Sequence, residues 1–299
     1  MKSPLTPVTV NNRIWPSRKR NLKQEEMKFL RYPGGKRRLL FFLANFLPHG
    51  ENIKGRYIEP FVGGGCVFLY VQPKRAILSD LNGELINLYK GIRNYPHKVW
   101  ETFKSFPGGK EAYYQIRDEQ CEDKPLYYRA ARTLYLNRTC FKGMWRHSPD
   151  GTFNVGYGGE ARRWVITHKN IIELSKTLRN AILIMSDFSP ILDQCSDGDF
   201  IFLDPPYEPG EKEMSEAHYI NGRFTFEDQI RLSAKLKEMT KTKRVNWLMT
   251  NSSNPDICKL YKEFNVVKVP LGTSNVIGVR TNHSKEVVIS NYKCGEAQI

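Results

Sequence analysis

The chain has 299 residues, 40% hydrophobic and 26% charged, an ordinary balance for a globular protein able to bury a large core in one domain or two. Its formal charge of +15 is not ordinary and points to a polyanionic partner, most simply nucleic acid. No apolar run nears the ~20 residues that span a bilayer and the amino terminus carries no secretory h-region. The scattered cysteines (Cys66, Cys121, Cys140, Cys195, Cys258, Cys294) form no CxxC pair, so reduced thiols in a cytoplasmic setting are expected rather than disulfides or a metal site.

Residues 1–26 read as a flexible basic arm. Pro4, Pro7 and Pro16 interrupt any helix, and Arg13, Arg18, Lys19, Arg20 and Lys23 suit phosphate contact. Met27 is an equally good natural start, which would make the arm an artefact of start-site assignment. From there the signals alternate. Arg31-Tyr32-Pro33-Gly34-Gly35-Lys36 opens a helical pattern through Leu39, Leu40, Leu43, Phe46 and Leu47, stopped by Pro48. Strands are predicted at Tyr57–Glu59, Ala76–Leu78, Ala181–Met185, Phe200–Leu203, Val245–Met249, Val266–Val269 and Val287–Ile289. Helices are predicted through Leu85, Leu88 and Ile92, and from the Thr225/Asp228 capping box through Phe226, Ile230, Ala234 and Leu236. This alternation predicts a doubly wound α/β sheet. It fails between about Tyr95 and His168, a stretch rich in Tyr, Trp, Arg and Lys. Residues 95–167 are therefore expected to form an inserted second domain of helices and a hairpin, splitting the α/β core into 27–94 and 168–293.

Asp204-Pro205-Pro206-Tyr207 follows the apolar run Phe200-Ile201-Phe202-Leu203. Proline cannot donate to a sheet ladder, so the chain must leave the sheet at once. A carboxylate, a prolyl carbonyl and an aromatic ring then sit together at the carboxyl end of a strand, where open α/β sheets bind ligands. These parts suit gripping a planar base by its exocyclic amine while a ring stacks on it. A plain strand-ending turn is the alternative.

Gly63-Gly64-Gly65 also follows a strand and opens a helix, so the backbone there can approach a ligand closely. Asp80 ends the next strand, the position from which an acid grips a ribose diol. No P-loop Lys-Ser/Thr follows the glycines and the GxGxxG spacing is absent. A nucleoside cofactor without phosphates fits best, and S-adenosylmethionine is the candidate. Its cationic groups suit Glu59 and Asp204; its carboxylate suits a cation or helix start at Gly34, Gly35 and Lys36.

The ordered set Tyr32-Pro33-Gly34-Gly35-Lys36, Glu59-Pro60-Phe61-Val62-Gly63-Gly64-Gly65, Asp80-Leu81-Asn82 and Asp204-Pro205-Pro206-Tyr207 resembles the Dam-type DNA adenine-N6 methyltransferases from Met27 to Tyr292. The resemblance implies a Rossmann-like S-adenosylmethionine-dependent methyltransferase sheet, with Tyr32, Gly34, Gly35, Lys36, Glu59, Phe61, Gly63, Gly65, Asp80 and Asp204 around the cofactor. It further implies that Asp187 and Phe188 flank the cofactor adenine. Asp204, Pro205, Pro206 and Tyr207 would be the catalytic set, acting on an adenine flipped from the duplex, with no metal and no covalent intermediate. No Pro-Cys nucleophile lies near the glycine turn, against cytosine C5 chemistry.

The inserted segment carries Tyr135-Leu136-Asn137-Arg138-Thr139-Cys140-Phe141-Lys142-Gly143-Met144-Trp145-Arg146, the turn signal Ser148-Pro149-Asp150-Gly151 and a predicted returning strand Thr152–Val155. Cations interleaved with aromatics around a hairpin suit groove entry and phosphate contact, with a solvated surface hairpin as the bland alternative. By the same resemblance this is the DNA target-recognition domain: Asn137, Arg138, Lys142 and Met144 belong to the DNA-binding set, Arg146 reads a guanine and Arg31 contacts the other end of the site. Gly156 departs from a frequent proline. The expected target is GATC in double-stranded DNA, in a bacterial or phage-encoded, nucleoid-associated enzyme with or without a cognate restriction endonuclease. The alternatives are an RNA or protein-glutamine methyltransferase, or a DNA-binding regulator on an inactive scaffold.

Overall fold

Runs of branched and aromatic residues build the sheet. The computed structural model describes residues 30, 32, 34–148, 151–207, 224–269 and 286–293. Arg31, the arm 1–26 and the Pro149-Asp150 turn lie outside the described residues. The strands are β1 (Tyr57–Glu59), β2 (Ala76–Asp80), β3 (Ala181–Met185), β4 (Phe200–Leu203), β5 (Asn246–Ser252), β6 (Asn265–Lys268) and β7 (Glu286–Ser290), in the order β3-β2-β1-β4-β5-β7-β6. The first five are parallel, and β7 pairs antiparallel with both β5 and β6. Every residue of β1 and β4 is buried, as expected of central parallel strands covered on both faces, whereas edge strand β3 exposes Ile182 and Met185.

Strand order runs outward from β1 to β3 on one side and from β4 to β5 on the other. The reversal between β1 and β4 is a topological switch point, and their carboxyl ends deliver Glu59 and Asp204 to one crevice. Alternation along the strands separates two apolar layers. Tyr57, Leu78 and Phe200 join one core; Ile58, Ile77, Ile201 and Trp247 join the other.

Ten α-helices are seen among the described residues: α1 (Leu40–Leu43), α2 (Cys66–Val71), α3 (Gly83–Asn94), α4 (Pro96–Ser105), α5 (Lys110–Asp118), α6 (Leu126–Thr139), α7 (His168–Leu178), α8 (Phe188–Asp193), α9 (Phe226–Thr242) and α10 (Pro255–Leu260). Helices α4 and α5 pack on α6, which in turn lies on α3, so the segment 95–167 shares the first core. The Thr225/Asp228 capping box starts α9 as expected, and Thr167 with Asn170 starts α7 in the same way. None of these helices is long and apolar enough to cross a membrane.

Two local expectations are corrected. The pattern from Lys36 to Leu47 is not one helix: Lys36–Leu39 is a 3-10 turn, α1 is a single α-turn, and Phe46 then returns to an i→i−3 bond with Leu43. The Asn45 side chain also donates to the Phe42 carbonyl, 3.0 Å, drawing it from the helical ladder. Thr152–Val155 is not a regular strand. Among the described residues only single bridges form here, His147 with Phe153 and Cys140 with Tyr157. Lys142 and Gly143 take positive φ (52° and 69°), which bends the outgoing arm of the hairpin before a ladder can extend.

Candidate active site

Asp204 leaves β4 at the switch point and is pinned through one oxygen. Lys36 Nζ lies 3.0 Å from Oδ1, and Thr250 Oγ1, from neighbouring β5, donates to the same atom at 2.7 Å. Oδ2 has no partner among the described residues. Lys36 also donates to the Gly34 carbonyl (3.1 Å), lies 3.5 Å from Glu286 Oε1 and sits 4.5 Å above the centre of the Tyr207 ring. Burial by itself would depress the lysine pKa, but Asp204, Tyr207 and Glu286 outweigh it and hold the group well above its usual range. Lys36 is thus a buried ammonium. The Tyr207 hydroxyl is itself buried without a hydrogen-bond partner among the described residues, and burial, then the Asp204 charge, pushes its pKa upward. Gln229 Nε2 donates to the Pro206 carbonyl (3.3 Å) and is held in turn by Asn251 (3.0 Å), which steadies the turn.

The glycine turn follows β1. Gly63 (φ 45°) and Gly65 (φ 64°) are left-handed, and a Cβ on Gly63 or Gly64 would lie 3.1 Å from the Tyr32 side chain, so Tyr32 packs directly on this backbone. Asp80, at the end of β2, accepts from Gly63 N and Asn82 N, both at 3.0 Å, one on each oxygen. Each oxygen keeps a second lone pair, enough for a vicinal diol. Burial raises the Asp80 pKa against these two bonds. Glu59 is buried and accepts from the Tyr57 hydroxyl at 2.7 Å. Burial, and beyond it the Asp204 and Asp80 charges, lifts its pKa well above the carboxylate range despite that bond. Three acids thus converge beside a turn that only glycine backbone can form. The donor set fits a cationic nucleoside without phosphates.

At the third strand end, Asp187 caps α8 by accepting from Ser189 N (2.9 Å). Its carboxylate is engaged by a residue outside the sequence motifs: Arg231 of α9 binds it through both terminal nitrogens (2.8 and 3.0 Å), also reaches Asp228 (2.9 Å) and lies 4.2 Å over the Phe188 ring. Phe188 is buried against Phe61, and Phe224 meets Phe61 edge-on.

The stretch from Asn137 to Arg146 divides into buried and exposed residues. Asn137 is 0% and Arg138 2% exposed, and Arg138 donates through Nε and Nη2 to the Arg162 carbonyl. Both side chains are thus turned into the protein and brace the loop from within. Lys142 and Phe141 are exposed at the bend, Phe141 by 49%, with the lysine ammonium over the Phe141 ring. Met144 packs partly against the core. Arg146 is half-buried; its Nε donates to Asn154 Oδ1 at 2.8 Å, and its terminal nitrogens have no partner among the described residues. Its neighbours face the glycine turn and α3: Trp145 meets Tyr32 (ring centres 5.8 Å) and His147 Nε2 lies 3.1 Å from Glu84 Oε2 on α3. Thr250, Glu286 and Arg231 had no local signal, because each is defined only by the strand or helix it faces. Phe141 could have been found as an aromatic beside a Lys-Gly bend.

Residues 32–272 match the family model of the D12 class N6 adenine-specific DNA methyltransferases. The chain belongs to this family. It is 33% identical over 280 residues to a Type II methyltransferase of Lactococcus lactis subsp. cremoris, covering 88% of this chain and 95% of that one. A Type II methyltransferase of Methanocaldococcus jannaschii is 33% identical over 293 residues (90% of this chain, 100% of that one). The DNA adenine methylase of Escherichia coli is 30% identical over 258 residues (84% and 91%). The D12 methyltransferase described here is accordingly an enzyme that methylates DNA adenine at N6, and methyl transfer in its family draws on S-adenosylmethionine. Among its described residues no three His, Cys, Asp or Glu side chains gather in a metal-binding group.

Proposed function

We propose that this methyltransferase acts on the adenine of GATC in duplex DNA, taking the base out of the stack and into the crevice at the β1/β4 switch point. The observation that carries the chemical reading is the asymmetry of Asp204: Oδ1 is pinned by Lys36 and Thr250 while Oδ2 is left to accept. The adenine amine is a weak nucleophile because its lone pair is delocalised into the ring. Oδ2 of Asp204 and the Pro205 carbonyl each accept one amino hydrogen, and the nitrogen then pyramidalises with its lone pair directed away from both acceptors. Tyr207 stacks on the base, and Lys36 holds the Asp204 carboxylate in place through Oδ1. Bound S-adenosylmethionine supplies a methyl group made electrophilic by its sulfonium. Asp80 holds the ribose diol, Glu59 faces the cationic part, and Tyr32, Phe61 and the glycines at 34, 35, 63 and 65 shape the walls. Positioning and electrostatics carry the exchange of the sulfur–methyl bond for a nitrogen–methyl bond, and the amino proton released by it leaves by way of Asp204 Oδ2 to solvent. Asp187 and Phe188 bound the adenine end, with Arg231 fixing the carboxylate.

Residues 95–167 serve as the target-recognition domain, flanked by the catalytic segments 27–94 and 168–293, with residues 1–26 as a basic arm. Arg146 reads a guanine through its terminal nitrogens, the commonest specific base contact. Lys142 supplies phosphate contact and Phe141 an apolar surface for the duplex. Arg31 is assigned to the other end of the site. The Type II relatives support a partnership with a restriction endonuclease of the same target, and the family supports a cytoplasmic, nucleoid-associated enzyme. Incubation with labelled S-adenosylmethionine and duplexes with or without GATC tests this reading. Label confined to the GATC duplex, recovered as N6-methyladenine, is expected; equal labelling of both would overturn the target, and labelling of RNA or protein instead would overturn the substrate.

A further inference from the structure

Arg146 stands between two residues that both touch the cofactor side of the molecule. On one side Trp145 packs on Tyr32, and Tyr32 lies on the glycine turn whose Gly63 amide is bonded to Asp80. On the other, His147 meets Glu84 in the first turn of α3, just after Asp80-Leu81-Asn82. Glu84 also lies 3.7 Å from Arg132 of α6, so the two parts of the chain meet at this carboxylate twice. The turn and the α3 start are the two backbone elements that donate to Asp80. The ends of the Trp145–His147 tripeptide therefore rest on the same two elements that hold Asp80.

Two unspent polar atoms mark the same tripeptide. Trp145 Nε1 and His147 Nδ1 are buried with no hydrogen-bond partner among the described residues. Buried polar groups are nearly always paired, because an orphan loses its bond to water and gains nothing in return. Neither orphan is explained by packing alone, since Phe153 offers both side chains only a ring edge or face.

We infer that Trp145 and His147 are positioning residues that couple the cofactor pocket to base reading, so that cofactor and target DNA each tighten the binding of the other. The inference rests on the proposed assignment of the two sites. The route is short: turn to Tyr32 to Trp145, and α3 to Glu84 to His147, with Arg146 carried between them. Coupling of this kind is reciprocal, so one factor must appear in both binding constants.

The test uses the full chain and sinefungin, a cofactor analogue that cannot donate a methyl group. DNA affinity for the duplex that wild type methylates is measured with and without saturating sinefungin, and sinefungin affinity with and without that duplex. Wild type should show the same enhancement both ways, roughly five- to thirtyfold. In Trp145→Leu and in His147→Gln the enhancement should fall to within about twofold of none, with sinefungin affinity in the absence of DNA changed less than threefold. Retained sinefungin binding also certifies the fold. Should Trp145→Leu lose it, Trp145→Phe and His147→Gln decide the matter, because His147 meets the α3 start through Glu84 and is one ring removed from Tyr32. An enhancement that survives in the variants, or is missing from wild type, overturns the inference. Failure of wild type to bind sinefungin or DNA at all would instead count against the assigned sites.

Discussion

Lys36 Nζ and Asp204 Oδ1 are 3.0 Å apart, the lysine almost wholly buried in the turn before α1 and the acid partly exposed at the end of β4. The pair leaves the second carboxylate oxygen uncommitted while Thr250 fixes the plane of the first. An unpaired ammonium in this place would be costly, so each partner stabilises the charge of the other. Asp204→Ala is therefore expected to remove methyl transfer, by at least about a hundredfold, and to raise the burial cost of Lys36. Thr250→Val should keep the ion pair and lose about tenfold in rate. Single-turnover methylation with a thermal melt checks both; an Asp204→Ala rate within a few-fold of wild type would sink the assigned role.

Tyr207 offers a ring and an unpaired hydroxyl. Tyr207→Ala should cost about 1–3 kcal/mol of base binding, as loss of a stacking face does. Tyr207→Phe should be nearly neutral. If Phe proves as harmful as Ala in single-turnover assays, stacking is the wrong role.

Asp80 already serves two backbone amides, so its removal loosens the turn as well as the proposed diol contact. Asp80→Ala should weaken sinefungin binding by about tenfold or more, while DNA affinity measured without cofactor changes little. Titration calorimetry of the two ligands separates these outcomes, and unaltered sinefungin affinity would leave Asp80 a structural acid.

Glu59 has its pKa raised by burial and by the neighbouring Asp204 and Asp80 charges. Its neutral form is favoured in the fold. That contribution to stability is complete below the ordinary glutamate range and is lost as pH rises through the raised folded value. A cationic ligand favours the ionised form, so binding releases a proton, and affinity should climb with pH until Glu59 is ionised in the free protein, then level. Calorimetry in buffers of different ionisation enthalpy should detect that proton in wild type and not in Glu59→Gln. Equal proton release in both would assign it elsewhere.

Arg146→Ala should cost roughly 1–3 kcal/mol on the preferred duplex and relax discrimination at one base pair. Lys142→Ala should weaken every sequence alike and reduce the salt dependence of binding. Methylation of duplexes with single substitutions in GATC compares them. Equal loss across all duplexes for Arg146→Ala would make it a backbone contact and remove the main support for GATC.

The parts legible without coordinates are those whose chemistry is local. Two prolines must end a strand, glycines alone accept the left-handed turn at 63 and 65, and the runs at 57–59, 181–185 and 200–203 became strands with the bounds expected. Asp80, Asp204 and Glu59 could be placed at strand ends for the same reason. The long-range partners of the site could not, because Thr250 reaches Asp204, Glu286 reaches Lys36 and Arg231 reaches Asp187 from strands and a helix distant in sequence and brought close only by the order of the sheet. Burial in α6 was hidden too: residues 130–139 are buried on every side between α3, α4 and α5, so Asn137 and Arg138 read as surface cations and amides while they brace the loop from inside. Composition announces a basic surface. Which cations face the duplex depends on packing, since helices surrounded on all sides leave no polar face for a periodicity to reveal.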